Sequence, residues 1–132
     1  MGAWGHGSFD NDAAGDWLHD LCDGDPSLLI DALTVMADAD VDAYLDSDVC
    51  CAALAAAELV AAALGKGEDR LDAQARTWLT EHHAAIDVDI GVARGAVERV
   101  FRASELRDLW DENGADVEWH EDVRELLRRL GA

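Results

Sequence analysis

Basic residues are missing from the first half of this chain: no arginine or lysine precedes Lys66, and Lys66 is the only lysine. Proline and tyrosine also occur once each, at Pro26 and Tyr44. No apolar run approaches the roughly 20 residues that a membrane-spanning helix requires. The first residues carry neither a basic region nor an apolar stretch of an export signal. The opening Met-Gly has His6 where a myristoylation pattern needs Ser or Thr. Cysteine is scarce and unsuited to a disulfide framework: Cys22, Cys50 and Cys51 are odd in number, and two are adjacent. These absences point to a cytoplasmic protein and to cysteines that act as small buried apolar groups.

The shortage of cations is matched by an excess of acid. The 132 residues carry a formal net charge of −19, of which residues 1–66 contribute −12 and residues 67–132 contribute −7. Direct binding to nucleic acid or to an anionic membrane is not expected, because phosphate neutralisation needs a basic patch. Two origins are open for the acidity. One is a composition shared across a high-GC or salt-adapted host, which keeps proteins soluble by self-repulsion. The other is an acidic face that attracts a basic protein.

With half the residues hydrophobic and one proline, the chain reads as a folded domain dominated by helix. A first helix is expected from Asp12 to Cys22, capped by Asn11 or Asp12, with Ala14, Trp17, Leu18 and Leu21 on its inner side. Asp12, Asp16, His19, Asp20 and Asp23 fall on the outer side. A second helix starts with Asp25 as cap and Pro26 at the first helical position, where its missing N–H costs nothing. The third, about 48–64, is apolar nearly all round, so it is expected at the centre, closed by Gly65 in a left-handed conformation. Further helices are expected at Leu71–His83, from Asp89, from Ser104 as cap, and at Asp116–Leu130. No segment has the alternation of a strand. The fold class is therefore all-α: one domain over 1–132, a compact bundle of six or seven helices around the alanine-rich helix.

Glu58 is the only charge between Asp48 and Lys66. Either the third helix turns this position to solvent, or a buried carboxylate has found donors. The opening "MGAWGHGSFDND" offers one set of donors. Gly2, Gly5 and Gly7 permit turns whose successive N–H groups hold an anion, while Trp4 and Phe9 anchor the segment by burial. Residues 1–10 are accordingly expected to pack on the core, with Glu58 as their structural anchor. That opening, the helix "ALAAAELVAAAL" and "SELRDLWDE" followed by "VRELLRRL" resemble a bacterial and archaeal family, domain of unknown function 4259, over nearly the whole chain. The resemblance implies a small cytoplasmic protein and no particular activity.

Candidate chemistry is sparse. The glycine-rich start lacks the preceding strand and the Lys-Ser/Thr of a phosphate loop. Asp16, His19 and Cys22 share three-residue spacing, with His6 or His120 available to complete a metal site; a divalent metal is the only cofactor that the spacing leaves open. Cys50 and Cys51 begin a helix whose dipole would favour a thiolate, which leaves a cysteine nucleophile with a histidine base as the remaining catalytic option. The favoured reading is non-enzymatic. A protein-binding module, toxin-neutralising or inhibitor-like, would present Asp12, Asp16, Asp20 and Asp23 to a basic protein. A metal-binding regulator and a small hydrolase are the alternatives.

Overall fold

In a computed structural model, the residues described are 9, 11–40, 45–67, 71–86, 90–102, 104–112 and 116–131. They form seven α-helices and a short 3-10 turn, with no strand among them. The helices are α1 (Asp12–Asp23), α2 (Ser27–Ala37), α3 (Ser47–Ala63), α4 (Ala73–His82), α5 (Ile90–Arg102), α6 (Glu105–Glu112) and α7 (Asp116–Arg129). The 3-10 turn, His83–Ala85, follows α4 directly.

Local chemistry sets most of the boundaries. Asn11 is the cap of α1, its Oδ1 accepting from Ala14 N at 2.8 Å. α2 begins at Ser27, one residue later than expected: Pro26, with helical backbone angles, takes the cap position in place of Asp25, whose Oδ1 accepts from Ser27 N at 2.9 Å. Asp72 caps α4 through Ala75 N, two residues later than the expected start at Leu71. For α3 the cap is Asp46 rather than Ser47 or Asp48: its side chain accepts from Asp48 N. Gly65 follows α3 at φ +81°, as expected of a left-handed stop. Ser104 caps α6, accepting from Arg107 N at 3.2 Å while its hydroxyl donates to the Val100 carbonyl at 2.8 Å.

The centre of the molecule is α3, which touches each of the other six helices. Cys50, Ala53, Ala55, Ala56, Ala57, Leu59 and Ala61 are fully buried. Burial on every side of a helix needs neighbours on every side, and alanine lets them come close. The inner stripes of the other helices supply the larger side chains: Leu18 and Leu21 from α1, Leu29, Leu33 and Met36 from α2, Val97 and Val100 from α5, Leu126 from α7. Phe9 joins the same core at 9% exposure. Among the described residues no helix is long and apolar enough to cross a membrane.

A side chain enlarged inside this tightly surrounded helix should be poorly tolerated. Ala56→Leu is expected to lower stability by about 1–3 kcal/mol through overpacking, whereas Leu64→Ala, on the exposed end of the segment, should stay within about 0.5 kcal/mol. Urea denaturation of the two variants checks the contrast.

Candidate functional site

Glu58 is buried, at 2% exposure, although it sits in mid-helix. Among the described residues, a guanidinium from the far end of the chain reaches it. Arg129 Nη1 donates to Glu58 Oε2 at 3.0 Å, and Nη2 donates to Oε1 at 3.1 Å. This two-pronged geometry suits guanidinium and carboxylate. Arg129 Nε lies 3.3 Å from Glu125 Oε1, completing the i,i+4 pair of α7 without a hydrogen-bond alignment. Gly67 covers the guanidinium: its φ is +95°, and a Cβ there would lie 2.5 Å from Arg129 Nη1. The solvent-facing alternative for Glu58 is thereby excluded. Of the proposed N-terminal anchors, Gly2, Trp4, Gly5 and Gly7 lie outside the described residues, as does His6. Nothing in the sequence links Arg129 to a residue 71 positions away.

The cysteine option is overturned. Burial drives the Cys50 thiol up to about 11 and the Cys51 thiol up to about 12, against an ordinary 9.0. Desolvation outweighs whatever the helix N-terminus offers, and Cys50 Sγ points to the Leu45 carbonyl at 3.9 Å. These thiols are packing groups.

Nor does the geometry gather Asp16, His19 and Cys22 as metal ligands. His19 Nε2 pairs with Asp23 at 3.2 Å on the exposed side of α1. Cys22, at the border, receives a hydrogen bond from Gln74 Nε2 at 3.6 Å on the α4 side. No group of three or more His, Cys, Asp or Glu among the described residues is arranged to hold a metal ion. His120 is engaged elsewhere, 3.2 Å from Asp111 Oδ1 and edge-on to Phe101. Of the adjacent histidines, His82 stacks on Trp78 and donates from Nδ1 to the Trp78 carbonyl, and His83 donates from Nε2 to the Ala63 carbonyl at the end of α3.

The outer face of α1 holds the remaining candidates. Asp12, Asp16, Asp20 and Asp23 are all exposed, and Asp16 and Asp20 line a shallow groove of about 320 Å³ that runs to α2 and the start of α3. Its floor is small, formed by Ala13, Ala32 and Ala52, and Asp48 stands on the α3 side. Trp17 and Val49 complete the lining. Trp17 is only partly buried, and Val49 is 38% exposed. The sequence had placed Trp17 wholly on the inner stripe; it falls at the edge instead, where its ring meets both core and solvent. No ion pair among the described residues involves Asp16, Asp20 or Asp48. A larger hollow, about 580 Å³, lies along α7 and is lined, among the described residues, by Glu118, Glu121, Asp122, Arg124, Glu125 and Arg128. Mixed charge and a mostly polar lining leave it little to grip a partner with.

The family described as domain of unknown function (DUF4259) matches residues 2–122, a stretch that includes Glu58 and the groove but stops short of Arg129. No curated protein and no solved structure matches the chain.

The buried pair and the buried thiols each make a prediction. Arg129→Met removes the guanidinium from a buried carboxylate that cannot leave α3, and should cost about 3–5 kcal/mol. Glu58→Leu should cost less, since Arg129 can turn toward Glu125 and water. The double variant should be more stable than the sum of the two losses predicts; additive losses in urea unfolding would deny the coupling. For the thiols, the folded state holds protons that the unfolded chain releases near pH 8.5. Their contribution to stability is fully present below that pH and is lost as pH rises toward about 11 and 12. Cys50→Ala/Cys51→Ala should accordingly flatten the alkaline limb of a stability-versus-pH curve.

Proposed function

We propose that this chain, which belongs to the family of that domain of unknown function, is a non-enzymatic protein-binding module whose acidic first half takes a basic partner. One observation carries the reading: the carboxylates of Asp16, Asp20 and Asp48 stand exposed around an apolar groove without an ion-pair partner among the described residues, in a half of the chain that has one basic residue. Such a surface steers a cationic protein toward it and disfavours anionic ones. Covering a basic cleft would make the chain inhibitor-like or toxin-neutralising. The buried, high-pKa thiols favour this over hydrolytic chemistry, since neither Cys50 nor Cys51 is an activated nucleophile.

The protein purified untagged from its own source at low ionic strength should carry a basic protein as a stoichiometric companion. Raising salt from about 0.05 to 0.5 M should release it as screening shortens the reach of the charges. Asp16→Lys/Asp20→Lys should prevent the association and slow its on-rate about tenfold or more in reconstitution. A companion that is retained at high salt and is indifferent to the charge reversal would overturn the proposal, as would a bare chain that no basic protein binds.

A further inference from the structure

The groove says more about its occupant than charge alone. Resting on the reading above, we infer that it seats an amphipathic basic helix of the partner, with an apolar ridge between α1 and α3 and arginine or lysine side chains over the rims. The argument runs from the floor upward. Ala13, Ala32 and Ala52 leave depth where larger residues would fill it, and Trp17 and Val49 turn apolar surface into that depth. Removing such surface from water favours an apolar occupant. A volume of about 320 Å³ lies at the low end for small-molecule pockets, and the groove is too open to enclose a free ligand. It is shaped for side chains that arrive on a scaffold.

The scaffold is a helix because the walls are helices. An extended segment earns affinity by adding its backbone to a sheet edge, and no strand occurs among the described residues. A helix brings its backbone already satisfied and presents side chains at i, i+3, i+4 and i+7. Its ridges pack between those of its neighbours.

The rims give the partner's sign. Asp16 and Asp20 stand one turn apart on the α1 wall, with Asp48 on the α3 side. A helix lying between them places flanking arginines against both walls, and Trp17 adds an aromatic face on which a guanidinium stacks. The apolar floor distinguishes this surface from a merely acidic one: a flexible polycation would satisfy the carboxylates and leave the floor wet.

The test uses the whole chain and three labelled synthetic peptides of equal length. The first repeats leucine at i, i+3, i+4 and i+7 with flanking arginines; the second scrambles that order at the same charge; the third replaces arginine with glutamine. Fluorescence anisotropy at about 0.15 M salt should show the first binding about tenfold or more tightly than either other. Asp16→Lys/Asp20→Lys and Val49→Asp should each weaken it about tenfold. Asp38→Lys/Glu81→Lys, an equal charge change at exposed positions off the groove, should leave affinity within about twofold. Amide shifts in the nuclear magnetic resonance spectrum should concentrate at Trp17, Val49 and Ala52. A melt by circular dichroism verifies that each variant is folded. Should Val49→Asp unfold, the paired lysine substitutions, both on exposed α1 positions, decide the matter. If the scrambled peptide binds equally well, or the groove variants do no more than the distant pair, the helix-in-groove inference falls while the basic-partner reading stands. If no arginine peptide binds and no basic protein accompanies the native chain, both fall.

Discussion

A helix that is apolar on all sides cannot be stable at a surface, and the arrangement of this protein follows from hiding one. The twelve buried positions of α3 include five fully buried alanines, so the neighbours that cover it approach closely and the fit is set by backbone proximity as much as by large side chains. With α1, α2, α5, α6, α7 and α4 all in contact with α3, each of those helices needs only one apolar stripe. Their outer sides are then released to carry charge. The same enclosure makes Glu58 a buried carboxylate of α3. A carboxylate in mid-helix cannot swing to water, so Arg129 must come to it, and Gly67 must lack a side chain to let it arrive.

The arginines explain why the acids of the first half are left exposed. Several of them point inward or onto backbone ends. Arg99, buried on α5, donates to the Asp40 carbonyl at 2.9 Å. Arg107 donates to the Phe101 and Arg102 carbonyls at the end of α5, where a cation also meets the helix dipole. Arg94 donates to the Gly131 carbonyl at 3.2 Å. Cations used in this way hold helices together and do little to neutralise the α1 face. Compensation within the second half, as between Arg107 and Asp111, is local to α6 and α7.

Much of the framework was legible in the sequence because helix signals are local. The Asn11 and Ser104 caps and the Gly65 stop depend on residues within a turn or two of each other. The central place of α3 was legible for the same reason, since an unbroken apolar surface has only one stable location. What lay beyond reach was pairing across sequence distance. Glu58 could be recognised as an anomaly, but its partner depends on how α7 packs, which no local pattern encodes. The cysteines were misread in the opposite way. A helix start was recognised as an activating feature, while the burial that overrides it is a property of the assembled core.

The assembled core also bears on the origin of the acidity. Surface carboxylates that serve only solubility work through repulsion, which is best achieved with acids among other polar groups. Such a role has no use for a part-buried tryptophan and a 38% exposed valine set over three alanines between unneutralised aspartates. Each apolar atom left there loses hydration free energy that a lysine stem or a glutamate could have avoided. The fully buried stripe of α1 is Ala14, Leu18 and Leu21; Trp17 packs only its inner edge on the core and leaves the rest at the groove. The general excess of aspartate is accounted for by composition. The coincidence of apolar lining and acidic rim at one place on α1 and α3 is the feature that the proposed basic partner would explain.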